Sequence, residues 1–291
     1  MGVKAALAAL ALLVSLPGAS GVRYLQSRQV ASGGFAEPGA AATPGLTAWA
    51  AIGLRAAGAS PGAATARFLV ASVGLTAWSA LALRAAEAPV GQALAYLQAH
   101  EENGEATLVL LAEAALGKPS AALAARVRAQ IGRTVNGTAW AVVALRQAGL
   151  PVPAAARRYL LSHQARSGGW GWIAGGAPDS NDTAAVVQAL RALGVSGRPI
   201  SRGLAYLATL QNRDGGFELT AGRGSDAQST AWALQALSAA GRPPDARAIA
   251  YLARLRRPDG SYRYSARYAT TPVWVTAQVV PALVRKPFPL P

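Results

Sequence analysis

The chain of 291 residues has no cysteine, a single methionine and only two histidines. Without thiols there can be no disulfide scaffold, no thiolate-held zinc and no cysteine nucleophile. His100 and His163 alone supply a histidine metal site poorly. Neither a metal nor a cofactor is therefore expected. Lysine is also scarce, at positions 4, 118 and 286, so arginine carries nearly all of the net charge of +15. Such a charge raises nucleic acid or anionic surfaces as partners. The arginines are spread along the chain rather than massed in one tract, which speaks against nucleic acid. Peripheral association with an anionic cell envelope stays open. Apolar runs of membrane-spanning length are missing too, since the run Ala5 to Leu16 falls short of the roughly 20 residues a spanning helix needs.

That short run is nonetheless informative. Lys4 precedes it, and the small residues Ala19, Ser20 and Gly21 follow it, in the order of a secretory signal and its cleavage site. Residues 1–21 are expected to be a leader and the remainder an exported protein. With 52% hydrophobic residues, that remainder can build a sizeable core.

Two motifs alternate along the chain. One is an octet from Thr to Leu, as in Thr230-Ala231-Trp232 to Leu237. It recurs at Thr47, Thr76, Thr138, Thr183 and Thr276, with a worn copy at Thr107. The other runs from Tyr-Leu to Gln and then to a Gly-rich turn with an aromatic. Examples are Tyr159 to Gln164 before Gly168-Gly169-Trp170, and Tyr206 to Gln211 before Asp214-Gly215-Gly216-Phe217. A fixed internal period marks a repeat architecture. The first four threonines lie 29 to 31 residues apart, enough for two short helices and two tight turns. From Thr138 onward the steps are 45 to 47 residues, leaving room for an extra loop between helices.

Six of the seven octets contain no charged residue, and a helix apolar all round is buried on all sides. The Tyr-Leu-Gln helices carry arginines on one side and should face water. Buried helices alternating with amphipathic ones give a solenoid or a ring. A solenoid needs polar ends, yet the first and last octets are both apolar, which favours closure. Pro281 is expected to interrupt and kink the last octet helix. The fold predicted is all-α: a single α/α toroid, or barrel, of six or seven helix pairs over residues 22–286, with 287–291 an extended tail.

The Gln-to-Gly-Gly-Trp/Phe segments resemble the Gln-Trp repeat of squalene cyclases, and the Thr-Ala helices look like those of the terpenoid cyclase and protein prenyltransferase superfamily. The resemblance implies a toroid with a central apolar cavity, in a superfamily of enzymes and cobalamin-carrying proteins. Class II cyclases of this superfamily carry Asp-x-Asp-Asp-Thr-Ala, in which the middle Asp is the proton donor. Here the register reads Asp179-Ser180-Asn181-Asp182-Thr183-Ala184, so the donor's position holds Asn181. An amide has no acidic proton to give. Such cyclases also usually carry two toroid-like domains, and this chain has room for one. Prenyltransferase zinc chemistry would require a cysteine that is absent.

Asp179 and Asp182 remain the only catalytic candidates, against the plainer reading that Ser180 or Asp182 caps the helix starting near Thr183. The candidate ligand-binding residues are Trp49, Trp78, Trp140 and Trp232, which share one octet position and would form an aromatic collar, together with Asn181, Asp182, Asp226 and Gln228. Trp170 and Trp172, with Phe35 and Phe217, belong to the turns and are expected to staple neighbouring repeats. Three functions follow: an exported non-catalytic protein holding an apolar or amphipathic molecule of isoprenoid or corrinoid type, a cyclase-like enzyme with a degenerate motif, or a cell-surface interaction scaffold. The Thr183 copy has Ala185 where four of the others have Trp, with Asp179, Asn181 and Asp182 just before it, and is where a functional side is expected.

Overall fold

The computed structural model describes residues 18–71 and 121–287. Among them are eleven helices: α1 (Ala19–Ser27), α2 (Pro44–Ala56), α3 (Ala63–Ala71), α4 (Ala121–Gln130), α5 (Val135–Gln147), α6 (Ala154–Ser162), α7 (Ser180–Ala192), α8 (Arg198–Thr209), α9 (Ala227–Ala239), α10 (Ala246–Leu255) and α11 (Pro272–Leu283). The octets at Thr76 and Thr107, with Trp78, lie outside the described residues.

The five octet helices, α2, α5, α7, α9 and α11, form the inner layer. They pack side by side in the order α5, α7, α9, α11, α2, so the last inner helix lies against the first. Burial follows the sequence pattern. Nine residues of α9 are buried, on every side of the helix. Amphipathic α10, in the outer layer, buries only Ala248, Tyr251, Leu252 and Leu255, a stripe at helical spacing.

The repeated residues tie the layers together. Each described octet threonine is fully buried, and its hydroxyl accepts a backbone N–H from the preceding turn at 2.8 to 3.0 Å: Phe35 to Thr47, Gly132 to Thr138, Trp170 to Thr183, Phe217 to Thr230 and Tyr262 to Thr276. The repeated glutamine acts on the other side of the turn. Gln164 Nε2 donates to Gly168 O at 2.7 Å and to Pro199 O, at the start of the next outer helix, at 2.8 Å. Gln29 bridges in the same way to Gly33 and Pro61. Stapling of neighbouring repeats is thus carried by the glutamine as well as by the buried turn aromatics, with the Trp170 indole N–H bonded to Leu160 O, whereas the Trp172 side chain is exposed.

A glycine with φ between 88° and 99° opens four of these turns, at Gly33, Gly168, Gly215 and Gly260. A Cβ there would run into a backbone carbonyl of the next outer helix: Ala64, Arg202, Arg247 and Ser20 respectively. Gly260 meets α1 as Gly215 meets α10. The outer layer therefore closes from α10 back onto α1, as the inner layer closes from α11 onto α2.

The extra loops have a second task. Each reaches sideways and satisfies amides at the start of the preceding inner helix. Trp172 O accepts from Val135 N and Asn136 N of α5, Leu219 O from Ser180 N of α7, and Tyr264 O from Ala227 N of α9. At α11 the same duty falls to Glu37, on the loop between α1 and α2. Its carboxylate accepts from Val273 N and Trp274 N at 2.9 and 3.0 Å. The N-cap of α11, Thr271, makes no side-chain cap of its own.

One expectation is revised. Pro281 does not end the last octet helix, which continues to Leu283. Proline lacks the N–H that would bond the carbonyl of Ala277, and this carbonyl sits where a Cβ on Gly53 of α2 would be, 2.8 Å away. The two helices approach closely at that point. The boundary expected after Gly21 falls inside α1, where a Cβ on Gly21 would lie 2.9 Å from Val280 Cγ2 of α11.

Candidate functional site

The inner helices begin at one end of the ring, and there the Thr183 copy gathers its polar residues. The helix cap is Asp179, whose Oδ1 accepts from Asp182 N at 2.8 Å. This corrects the expectation that Ser180 or Asp182 would cap. Asp179 is the residue with extended backbone immediately before the helix, as an N-cap must be. Asp226 does the same for α9, accepting from Ser229 N at 2.7 Å and from Ser229 Oγ at 2.8 Å. Both of its oxygens are committed, so Asp226 is an anchor, with Gln228 half-buried beside it. Burial raises the Asp226 carboxyl above its ordinary range, against the lowering effect of the Ser229 hydrogen bonds.

With the cap assigned to Asp179, Asp182 is free to point elsewhere. It is buried, and its Oδ1 accepts from Asn136 Nδ2 of α5 at 2.7 Å. Burial pushes its carboxyl up to about 7, and the Asp179 carboxylate adds to the rise, while the Asn136 amide opposes it. Near neutrality Asp182 is thus divided between acid and carboxylate. Asn181, at the proton donor's position, is half-buried and accepts from Ser180 Oγ at 3.3 Å. Asn136 was not among the sequence candidates. Nothing in a linear motif joins it to a residue 46 positions away.

One turn further along α7 stands Ala185. Helices α5 and α9 flank α7, and the small side chain lets their tryptophans meet across it. Trp140 and Trp232 pack edge to face, 6.0 Å between ring centres and 88° between planes. With Ala139, Val143, Ala185 and Gln188 they line a small pocket of about 10 Å3, room for about one water. Two members of the expected collar therefore come together. Trp49 is half-buried on α2, packed against the core. At the equivalent octet position α11 carries Gln278, whose Oε1 accepts from Trp232 Nε1 at 3.3 Å. A glutamine in a tryptophan's place is visible in the alignment of the octets, but sequence reasoning did not single it out. Chemically, the wall offers aromatic and apolar surface, a few amides and one carboxyl that keeps its proton to near neutrality.

This architecture is that of a terpenoid-cyclase-like α/α toroid. It is similar to type II terpene cyclase MstE from Scytonema in its apo form, at 17% identity with a TM-score of 0.56, covering 92% of this chain and 96% of that one. A structure of the same cyclase in complex with geranylgeranyl dihydroxybenzoate matches over 92% of this chain at a TM-score of 0.56. A protein from Actinoplanes matches at 18% identity, with a TM-score of 0.56 and 98% of its chain covered. No family model and no curated protein matches the chain. Type II cyclases do not all need two toroid domains, because MstE is covered almost end to end by this single ring. Chain length therefore does not argue against cyclase chemistry here.

Proposed function

We propose that this protein is an exported, non-catalytic toroid that holds an apolar molecule of isoprenoid type against its inner wall. The observation that carries the reading is the acid position. It holds an amide, Asn181, while the two neighbouring carboxyls have other engagements, Asp179 as a cap and Asp182 with Asn136. The apolar wall around Trp140 and Trp232 supports a ligand of matching character. The binding of geranylgeranyl dihydroxybenzoate by MstE supports the isoprenoid class. Export rests on the leader-like order of Lys4, the apolar run Ala5 to Leu16 and the small residues after it, with cleavage ahead of α1, whose Ser20 and Gly21 pack into the ring.

A second reading is favoured by one observation. Asp182 retains its proton to about pH 7 and could be a displaced acid. Against this stands its strength, because a carboxyl raised to about 7 gives up its proton less readily than an ordinary one.

The test is incubation of purified protein with geranylgeranyl dihydroxybenzoate and with squalene, followed by product analysis and by mass spectrometry of bound material. Retention of unchanged substrate supports the binder. Cyclised product from the wild type, lost in Asp182→Asn, overturns it in favour of the second reading. Export is checked by the N-terminus of protein recovered outside producing cells.

A further inference from the structure

We propose that a cleft at the far end of the ring, where the inner helices finish, binds the phosphoryl group of a phosphate monoester through Arg191, Arg198 and Arg242. The site lies away from Asp182 and does not rest on the binding reading above.

Arg191 stands in the last turn of α7, Arg198 opens α8, and Arg242 follows α9. Together with Ser196, Ile200 and Ala240 they line a cleft of about 500 Å3, a size that suits a small organic ligand. Two hydrogen bonds fix Arg191 across the joint between repeats. Its Nε donates to Ala239 O at the end of α9 at 3.1 Å, and its Nη1 donates to Val195 O, in the turn before α8, at 2.8 Å. Its Nη2 is left uncommitted. The Arg198 and Arg242 side chains are exposed and have no partner among the described residues. No carboxylate lines the cleft. The next acid along the chain, Asp245, spends its Oδ1 on capping α10 at Ala248 N, at 2.9 Å.

The same end of the ring is basic beyond the cleft. Arg55 and Arg146 stand in the last turns of α2 and α5, and Arg285 and Lys286 follow α11. Apart from Asp245, the described carboxylates lie at the opposite end, in the turns before the inner helices or in their first turns.

The chemistry of the lining selects the ligand. Three guanidinium groups around one concavity repel one another, and a bound anion relieves that repulsion. Guanidinium forks match phosphate oxygens, and a phosphate dianion answers more of the three charges than a carboxylate does. Ser196 adds a hydroxyl, and Ile200 and Ala240 offer apolar surface to the rest of a small ester. The phosphate can belong to a soluble ester or to a lipid headgroup.

The experiment is calorimetric titration of the full chain at low ionic strength and about pH 7.5, where a phosphate ester is largely a dianion. The probes are glycerol 3-phosphate, sulfate and acetate, with sedimentation of phosphatidylcholine vesicles containing or lacking phosphatidic acid alongside. Arg198→Gln and Arg242→Gln should each weaken glycerol 3-phosphate about tenfold, the worth of one charge-assisted hydrogen bond. Arg157→Gln removes the same charge from the exposed side of α6 and should change the affinity by less than about twofold. An equal loss in all three variants overturns the site and leaves only attraction to a basic protein. Binding of neither the ester nor the vesicles overturns it too. Sulfate or acetate bound as tightly as the ester overturns the choice of phosphate. Capture of phosphatidic acid vesicles, lost in the two cleft variants, upholds the site and assigns it to a lipid headgroup. Binding of the ester without vesicle capture upholds it as a site for a soluble ester.

Discussion

Replacing Asp182 by Asn should stabilise the fold, and increasingly so as pH rises. In the folded chain, burial and the neighbouring Asp179 carboxylate push the Asp182 carboxyl up to about 7, from an ordinary 3.8. The folded state therefore holds this proton over a range where the unfolded chain has released it. Across that range stability falls with rising pH, so the stability linked to the bound proton is fully present below the unfolded value and lost by about pH 7. A gap of about three pH units, at about 1.4 kcal/mol each, sets a ceiling of about 4 kcal/mol. Protein relaxation and water entry reduce such figures, so a gain of about 2 kcal/mol at alkaline pH is expected. Asn keeps an oxygen for the Asn136 amide and adds no charge, so little else is disturbed. The assay is urea unfolding of wild type and variant at about pH 4.5 and about pH 8, followed by circular dichroism and tryptophan fluorescence. The variant's advantage should grow by about 2 kcal/mol between those conditions, or roughly 4–8 °C in melting temperature for a chain of this size. An advantage independent of pH, or a wild type more stable at the higher pH, would refute the account of Asp182 as a buried, proton-holding carboxyl.

Two further predictions concern how the ring closes. Glu37→Ala removes two charge-assisted bonds to the start of α11 and should lower stability by about 2 kcal/mol in thermal or urea unfolding, whereas a loss below about 0.5 kcal/mol would mean that water replaces the carboxylate there. Gly260→Ala should be far more damaging than Gly39→Ala. Both glycines have positive φ, but only the Gly260 Cβ would strike backbone, at Ser20, so losses of about 1 kcal/mol at Gly39 and at least twice that at Gly260 are expected, and equal losses would remove the claimed contact.

Much of the architecture was legible because it is periodic. The octet marked every described inner helix, and its uncharged faces marked the layer. Closure followed from two apolar end copies and is realised by α11 against α2. What could not be read was contact between residues far apart in sequence but joined by the ring. Glu37 caps a helix more than 230 positions away, and no local signal at Thr271 or Pro272 points to it. The site was legible in part. The departure at Ala185 did mark where Trp140 and Trp232 converge. The cap was placed one to three residues too late, because Ser180 and Asp182 have capping chemistry and only backbone angle distinguishes Asp179. Asn136 and the glutamines were missed for a common reason. Amides on apolar helices look like tolerated core polarity until the structure shows what each end meets, Asp182 for Asn136 and no partner for Gln235 Oε1 and Gln278 Nε2. Trp78 and its octet lie outside the described residues.

The contact between Gly260 and Ser20 has a topological consequence. It is the same joint that links the other neighbouring repeats, so the fold has no structurally distinct beginning. Gly18 stands 3.8 Å, measured from an added Cβ, from Leu283 and Val284. The two ends of the described chain thus lie side by side. A circular permutant that joins them and opens the polypeptide at the exposed tip around Thr220 to Gly224 would keep every joint. A tether attached at either end of the described chain would hold the ring by the same place.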